Sequence, residues 1–427
     1  MANPINHIVV IGGGLAGLVA SCTAADHGAR VTLLDARSDL GGRARTTHHD
    51  GFSFNQGPHA LYKRGAALPV LRALGVWPDG KVPALSGADM AVAGTIVRTA
   101  RPTTLGTSGL RVLRAVAAPG AVKHARGRSM AEWIADLPDE RARQVAAGFA
   151  RLTSYCADLE HADAGAIIEQ IRRGAKGVLY LHDGWGSLVD GLRAAALERG
   201  VDIRVDQKAT AVVAAGEHWT VHTPTMSLTA TAVVIAAGGP SHAAGILGGA
   251  APRLDEWAAT TRPVTAACLD VALFRLPNDR HRSIIGLDEP TYCIVHSRTA
   301  RLAPDGGALI HVLRYGDDIT DADELRASLE SQLDRAQPGW RDVLVEARFS
   351  RRLIVAHDVP RISGGATRPE IDPGDVPGVF VAGDWITTNG LLADAAVDSG
   401  ARAGLAAARA GLAGARSVPA HNTHTCL

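Results

Sequence analysis

A glycine-rich turn close to the start of the chain constrains the fold more than any other feature. The apolar, β-branched stretch His7–Ile11 predicts a buried parallel strand. Gly12, Gly14 and Gly17 follow in the spacing GxGxxG, and a helical pattern begins there and runs to about residue 27. In such a unit the first glycine makes the tight turn, the second admits a pyrophosphate and the third lets helix and strand pack closely. The sequence therefore predicts a dinucleotide-binding turn, with free helix N–H groups facing phosphate.

An acidic residue marks the end of the next predicted strand. Arg30–Leu34 has strand character, and Asp35 follows it, 18 positions after Gly17. Dinucleotide-binding folds place at about this distance a carboxylate that accepts hydrogen bonds from a ribose. Because strand, glycines, helix, second strand and acid occur in the required order, an ordinary surface turn explains the pattern poorly.

Two further motifs relate this turn to a known superfamily. Gly41–Arg43 follows Asp35; its two glycines permit close backbone approach, and its arginine can form two hydrogen bonds to phosphate. Near the other end, Gly383-Asp384 follows an apolar strand and precedes a helix predicted from about Leu391. With these motifs the chain resembles the flavoprotein superfamily of flavin amine oxidases, phytoene desaturases and protoporphyrinogen oxidases. The resemblance is nearer to the phytoene-desaturase-like branch.

The resemblance implies how FAD would be held. In the superfamily the Gly-Gly-Arg element lies along the pyrophosphate, the acid of the Gly-Asp pair meets the ribitol, and the last helix directs its N-terminus at the flavin ring. A helix N-terminus carries partial positive charge that stabilises negative charge on the ring. Non-covalent binding is expected, because no cysteine occurs between Cys293 and Cys426. The implied FAD contacts are Gly12, Gly14, Leu15, Ala16, Gly17, Asp35, Ala36, Gly41, Gly42, Arg43, Gly57, Pro58, His59, Ala209, Ala237, Gly238, Gly383, Asp384, Leu391 and Leu392.

The motifs bracket almost the whole chain and imply two interleaved domains. An α/β FAD-binding, Rossmann-like domain is expected to be discontinuous, comprising residues 1–75, 185–265 and 360–427. An α+β substrate domain is expected from residues 76–184 and 266–359. A chain of 427 residues is long enough for two such domains.

Composition and charge argue against several other classes of protein. The formal net charge is +1, so no global field indicates a nucleic-acid partner. The five cysteines form no CxxC pair, which argues against a disulfide framework, a zinc site and a redox-active dithiol. No second GxGxxG precedes an acid, so electrons are expected to come from an organic substrate and to leave to O2 or a quinone. The start lacks a basic leader and no run of about 18 apolar residues occurs, so a cytoplasmic protein is expected. Arginine outnumbers lysine and alanine is abundant, a composition typical of high-GC bacteria.

The choice between C–C and C–N oxidation depends on two positions. The reaction shared by the superfamily transfers a hydride from a substrate C–H bond to flavin N5. Flavin amine oxidases usually carry a lysine where alignment places Leu269, and an aromatic residue where it places Leu392. Because both signatures are missing, the expected function is dehydrogenation (desaturation) of a hydrophobic organic substrate. Tyr62 and Trp385 are expected to line the substrate pocket together with those two leucines.

Two alternative functions remain open at this point. One is a flavin amine oxidase that acts on a C–N bond and uses O2 as acceptor. The other is a non-catalytic carrier, because Rab GDP-dissociation inhibitors resemble this fold and carry prenylated cargo without using flavin. The intact Asp35, Gly41–Arg43 and Gly383-Asp384 argue against the carrier.

His59 is the first candidate for an acid–base group of the active site. It lies where the superfamily passes the chain near the flavin ring, and an imidazole can exchange a proton at neutral pH. The alternative is that His59 only hydrogen-bonds backbone or FAD. His182, Asp183 and Asp394 are weaker candidates, expected to cap helices or to lie on the ribitol side.

Residues 90–131 contain seven basic side chains and no acidic one. Three interpretations are open: a peripheral membrane contact that gives access to a lipid-soluble substrate, a site for an anionic substrate, or a solvated helical face. The basic residues are Arg98, Arg101, Arg111, Arg114, Lys123, Arg126 and Arg128.

Overall fold

The computed structural model describes residues 6–83, 88–92, 94–97, 106–362, 368–387 and 390–416. The strands are β1 (His7–Ile11), β2 (Arg30–Leu34), β3 (Thr47–His49), β4 (Phe52–Phe54), β5 (Leu61–Tyr62), β6 (Gly80–Lys81), β7 (Ala88–Val92), β8 (Thr95–Val97), β9 (Val178–Leu181), β10 (Asp202–Arg204), β11 (Ala211–Ala215), β12 (His218–His222), β13 (Ser227–Ala230), β14 (Ala232–Ile235), β15 (Val264–Leu273), β16 (Ser283–Gly286), β17 (Thr291–Val295), β18 (Ala308–Tyr315), β19 (Leu344–Ala356) and β20 (Val379–Val381). The helices are α1 (Leu15–Asp26), α2 (Ala67–Ala73), α3 (Gly106–Ala117), α4 (Ala121–Ala125), α5 (Met130–Ala135), α6 (Glu140–Ser154), α7 (Ala164–Ala175), α8 (Gly186–Glu198), α9 (Pro240–Leu247), α10 (Pro252–Thr260), α11 (Ala322–Ala336) and α12 (Leu392–Arg416).

A five-stranded parallel sheet forms the centre of the part of the molecule that contains the glycine-rich turn, which we call the first domain. Its order is β10-β2-β1-β14-β20, so strands from distant parts of the chain lie side by side. The predicted strands His7–Ile11 and Arg30–Leu34 have those bounds in the structure and pair in parallel along their whole length. Because parallel strands end at the same edge of the sheet, the glycine-rich turn and Asp35 come together there.

The second domain is built on a seven-stranded sheet of order β19-β15-β18-β17-β16-β7-β8. Its strand β15 is buried throughout, and its side chains alternate between the two faces of the sheet. Ala266 and Cys268 join the core formed with α3, α5, α6 and α7. Ala267 and Leu269 join a separate core formed with α11. The first of these two faces is turned toward the cavity described below.

Glycines allow α12 to pack directly on α1. A Cβ atom on Gly400 would lie 2.3 Å from the carbonyl oxygen of Ala16, and one on Gly404 would lie 2.3 Å from that of Ala20. These distances are shorter than any van der Waals contact, so the two backbones can approach this closely only where the side chain is absent. The helix that carries the glycine-rich turn is therefore fixed by the last helix of the chain.

This packing predicts opposite effects for two glycine-to-alanine substitutions. Gly404→Ala should lower the free energy of unfolding by about 1–3 kcal/mol, since the added methyl group overpacks the α1–α12 contact. Gly245→Ala, in α9, meets no atom within 4 Å and should raise it by roughly 0.4–1 kcal/mol. Urea unfolding followed by circular dichroism measures both changes. Equal effects of the two substitutions would contradict the close packing of α12 on α1.

Candidate active site

A large cavity extends from the glycine-rich turn to the seven-stranded sheet. Its volume is about 1390 Å³. One end is bounded by the turn, Asp35 and Gly41–Arg43, and the other by Tyr62, Tyr292 and their neighbours. Pockets for a single small molecule usually measure roughly 300–1,000 Å³. The cavity is thus large enough to hold a dinucleotide and a second ligand together.

The three glycines of the turn differ in what surrounds them. Gly12 has a φ of +104°, and a Cβ atom there would lie 2.8 Å from the Ala236 carbonyl oxygen. A Cβ atom on Gly17 would lie 1.8 Å from the Gly12 carbonyl oxygen, so Gly17 serves the packing of turn against helix. Gly14 has an ordinary φ of −76°, and a Cβ atom there would meet no protein atom within 4 Å. Because Gly14 lines the cavity, a side chain at this position would enter the space left for a ligand.

Asp35 closes the turn from the neighbouring strand. Its Oδ2 accepts a hydrogen bond of 2.6 Å from the backbone N–H of Gly13, and its Oδ1 accepts one of 2.8 Å from that of Arg37. Asp35 also lines the cavity at the carboxyl end of β2. The carboxylate is therefore held in place by backbone donors at the position predicted for a ribose contact.

An ion pair joins the two superfamily motifs from opposite ends of the chain. Arg43 donates from Nη1 to Asp384 Oδ2 at 2.7 Å and to the Val355 carbonyl at 2.7 Å. His357 donates its backbone N–H to Asp384 Oδ2 at 3.0 Å, and its Nδ1 lies 3.0 Å from Asp384 Oδ1. Burial alone would raise the pKa of Asp384, but Arg43 and His357 hold that pKa far below its usual range. Sequence reasoning missed His357, which belongs to no motif.

The cavity wall includes most of the predicted cofactor contacts, namely Gly12, Gly14, Leu15, Ala16, Asp35, Ala36, Gly41, Gly42, Arg43, Gly57, Pro58, His59, Ala209, Ala237, Gly238, Gly383, Asp384 and Leu392. Two others, Gly17 and Leu391, are not part of the wall. Gly17 is enclosed by the turn itself. Leu391 is buried and lines a smaller cavity of about 330 Å³. Helix α12 begins one residue later than predicted, at Leu392.

Two predictions about the substrate pocket are wrong. Leu269 is 0% exposed and packs in the core with α11, on the face of β15 that is turned away from the cavity. The side chains at this point that face the cavity's side of the sheet are Cys268 and Asp270, and neither lies on the cavity wall. Trp385 does not line the cavity either, because it is buried in the first domain with its ring 6.5 Å from that of Trp257. Tyr62 and Leu392 do lie on the wall.

His59 lies on the wall, but backbone groups engage both of its ring nitrogens. Nδ1 is 2.9 Å from the Gly57 carbonyl oxygen, and Nε2 is 3.2 Å from that of Arg43. The ring of Trp185 lies 5.0 Å away. Burial lowers the pKa of His59 below its ordinary value, and a neutral ring can donate a hydrogen bond to only one of these two carbonyl oxygens. These contacts favour the alternative in which His59 fixes the backbone around Gly41–Arg43.

The weaker candidates have structural partners as well. Arg301 donates its backbone N–H to His182 Nδ1 at 2.9 Å and its guanidinium to Asp183 Oδ2 at 2.7 Å. Neither His182 nor Asp183 lines the large cavity. They connect the start of α8 to the second domain.

Tyrosines gather around the part of the cavity in the second domain. The chain has five tyrosines, and the wall includes Tyr62, Tyr155, Tyr180 and Tyr292. The fifth, Tyr315, packs behind Tyr155 with ring centroids 5.8 Å apart. The hydroxyls of Tyr62 and Tyr155 donate to the carbonyls of Thr153 and Pro58. Since those hydroxyls are used by the backbone, the rings present mainly π surface to a ligand. No motif predicts this wall, because its members are spread over the chain.

A buried acid–base cluster lies beside the tyrosine wall and was also missed. His311 Nδ1 is 2.6 Å from Asp270 Oδ1, and the Cys268 thiol donates to the same oxygen at 3.0 Å. Asp270 and His311 face each other across β15 and β18. The ring of His296 lies 5.2 Å from that of His311 and 4.1 Å from that of Tyr180, and His296 lines the cavity. Burial holds the pKa of His296 well below its ordinary value, so a neutral imidazole faces the ligand space.

Asp394 caps a helix, which is one of the two roles expected for it. Its Oδ1 accepts a hydrogen bond of 2.9 Å from the backbone N–H of Ala67, the first residue of α2. Burial raises the pKa of Asp394 to about 6. An unfolded aspartate titrates near 4, so the folded protein keeps this proton over a range where the unfolded chain has lost it. The stability that the proton contributes is full below about pH 4 and is lost as the pH rises through 6.

The substitution Asp394→Asn tests this linkage. The asparagine's amide oxygen can still accept a hydrogen bond from the backbone N–H of Ala67, but the side chain can no longer ionise. The unfolding free energy of the variant relative to the wild type should therefore increase between pH 4 and 7, by up to about 3 kcal/mol. Thermal unfolding at several pH values measures the difference. The matched control is Asp190→Asn, an exposed aspartate on α8, which should follow the pH dependence of the wild type. A difference that does not vary with pH in Asp394→Asn would contradict the buried protonated carboxyl.

In the part of the chain that the structure describes, no helix is long and apolar enough to cross a membrane. Arg98, Arg101 and Cys426, which entered the sequence-based predictions, lie outside the described residues.

Comparison with known proteins agrees with the geometry of the site. Residues 10–74 match the family described as an NAD(P)-binding Rossmann-like domain. A carotenoid 3,4-desaturase from Haloarcula japonica is 51% identical over 51 residues, which are 12% of this chain and 10% of that protein. An L-amino-acid oxidase from Naja atra is 46% identical over 65 residues, 15% of this chain and 13% of the relative. The chain thus matches only about a tenth of the length of these curated relatives.

A similarity in structure extends over the whole chain. An oxidoreductase from Methanosarcina mazei superposes with a TM-score of 0.74 at 16% identity, covering 92% of this chain and 98% of that one. At this identity the match shows the fold alone. The fold class inferred from the motifs is confirmed, and so is the resemblance of the dinucleotide-binding segment to desaturases and oxidases of the flavoprotein superfamily. Residues 10–74 thus resemble an NAD(P)-binding Rossmann-like domain, and the chain shares its fold with a known oxidoreductase.

Proposed function

We propose that this protein is an oxidoreductase that binds FAD non-covalently and dehydrogenates a hydrophobic organic substrate. The observation that carries the proposal is the continuous cavity, which joins the glycine-rich turn to the tyrosine wall. A ligand at the turn and a second ligand at the tyrosines would therefore be in contact without intervening protein.

The residues at the turn fit a flavin dinucleotide. Gly14 and Gly42 line the cavity, and no protein atom comes within 3.4 Å of where their Cβ atoms would be, so phosphate can approach the backbone. The N-terminus of α1 offers its first N–H groups there, and Gly14 provides no side-chain cap that would compete. Asp35 would hold the ribose. Arg43 is fixed by Asp384 at the wall, where its positive charge would favour the pyrophosphate.

The chain's own residues would bind, orient and deprotonate the substrate. FAD, when bound, accepts a hydride from a substrate C–H bond. Forming a C=C bond also releases a proton from the neighbouring carbon, and this proton needs an acceptor. His296 lies on the wall next to Tyr180, and neither of its ring nitrogens has a hydrogen-bond partner among the described residues, so one of them can accept that proton from a substrate bound against the wall. The tyrosine rings exclude water and orient an apolar or π-rich substrate.

Oxidation of a C–N bond is the second candidate, since the named relatives include an L-amino-acid oxidase. Two observations favour desaturation instead. The side chain at the start of α12 is Leu392 and not an aromatic residue. The residues of β15 on the cavity's side of the sheet include Cys268 and Asp270, and no lysine occurs in this strand.

The electron acceptor would be O2 or a quinone. A non-catalytic carrier is disfavoured, because Asp35, Arg43 and Asp384 all line the cavity where a dinucleotide would bind.

The substitution Gly14→Val separates cofactor binding from stability. Its side chain would enter the cavity without meeting the protein, so the unfolding free energy of the flavin-free protein should change by less than about 0.5 kcal/mol. Flavin retention should fall at least tenfold, because the branched side chain occupies the phosphate position. Absorbance near 450 nm per mole of purified protein measures retention, with Gly245→Ala as the control that keeps its flavin. Wild-type retention in Gly14→Val would contradict the assignment of the turn.

Anaerobic reduction of the bound flavin tests the reaction. Phytoene in detergent micelles should bleach the visible absorbance of the wild type, and His296→Gln should slow this bleaching by about 10²–10⁴-fold if the imidazole is the proton acceptor. Flavin content must stay equal in the two proteins for the comparison to hold. Bleaching by L-amino acids or benzylamine, with peroxide released on admission of air, would favour C–N oxidation and overturn the desaturase assignment.

A further inference from the structure

Helix α3 has an apolar face that the described residues leave exposed. Gly109, Val112 and Val116 point inward at helical spacing and belong to the core of the second domain. Leu110 and Leu113, one turn apart on the other side, are 46% and 41% exposed. Most leucines of a folded domain are buried, so two exposed leucines on one helical stripe need a reason.

This stripe lies at the opening of the large cavity. Leu113 lines the cavity while being exposed to solvent, and so does Val82, which is 40% exposed. Lys81 also lines the cavity and is exposed. The apolar surface inside the cavity is therefore continuous with the apolar surface of α3 outside it.

Exposed basic side chains lie on α3 and on the next helix, α4. Arg114 and Lys123 are exposed, and neither forms an ion pair with any acid of the described residues. Arg111 is exposed as well, although it pairs with Asp139. From Met90 to Ala131 the sequence contains no acidic residue. Exposed leucines bordered by unpaired cations are complementary to a bilayer with anionic headgroups, in which acyl chains lie beneath negative charge.

We propose that Leu110, Leu113 and Val82, with Arg114 and Lys123 around them, dock this protein on an anionic membrane surface. The opening of the cavity then faces the bilayer, and an apolar substrate can enter without crossing water. The proposal rests on the proposed function for the nature of that substrate, but the docking surface itself does not depend on the flavin. Of the three interpretations of the basic run, this one alone accounts for the leucines.

Vesicle sedimentation with the full-length purified protein tests the docking. Binding should be strong to vesicles of phosphatidylcholine mixed with phosphatidylglycerol, should be weak to phosphatidylcholine alone, and should fall with added salt. Leu110→Ser and Arg114→Glu should each weaken binding about tenfold, by removing apolar burial and by reversing a charge respectively. The matched control is Leu197→Ser on α8, an exposed leucine of the first domain at 52% exposure, which should bind as the wild type does.

Each other outcome overturns the docking proposal. Equal binding to both kinds of vesicle, no binding to either, or equal weakening by Leu197→Ser would show that α3 is not an anionic-membrane surface. A dimer in light scattering that Leu110→Ser dissociates would show that a second copy covers the leucines. All three substitutions are at exposed positions, and unchanged melting temperatures will confirm folding. Flavin absorbance, recorded on the same samples, reports on the proposed function separately, so either idea can fail alone.

Discussion

The contact between Arg43 and Asp384 is the interaction on which the site depends. It links a motif near the start of the chain to one some 340 positions later, and both motifs lie at the carboxyl edge of the parallel sheet. Asp384 is buried, so its charge must be neutralised where it lies, and Arg43 and His357 do this from two directions. The pair therefore fixes how the glycine-rich turn, β19 and the start of α12 meet around the cavity.

The packing of α12 on α1 stabilises the same arrangement. Gly400 and Gly404 let α12 lie against the backbone of α1, so the helix that begins at the glycine-rich turn is packed directly on the helix that begins at Leu392. Both helices direct an N-terminus toward the cavity. The N-terminus of α1 and the guanidinium of Arg43 together give the glycine-rich end of the cavity a positive electrostatic character. The other end, lined by tyrosines and His296, has the character of a pocket for an apolar molecule.

Local motifs predicted the first two strands and the turn of the parallel sheet well, and they could not predict the tyrosine-lined end of the cavity. The strands at His7 and Arg30, the turn and Asp35 are adjacent in sequence and follow rules of spacing, so their positions could be inferred directly. The substrate end is assembled by tertiary contacts among residues such as Tyr155, Tyr292 and His296, which share no spacing. The error at Leu269 shows the same limit, because a shift of one residue along a strand exchanges the two faces of the sheet. A clue was present in composition, since nearly all tyrosines of the chain surround one cavity.

The central claim is that the glycine-rich end of this cavity holds FAD without a covalent bond. Acid denaturation of the purified protein, followed by mass spectrometry of the supernatant and of the pellet, tests it most directly. The account predicts a yellow protein that releases about one FAD per chain into the supernatant and leaves an unmodified polypeptide in the pellet. A colourless protein that takes up no added FAD, or a flavin that stays attached to the denatured chain, would contradict it.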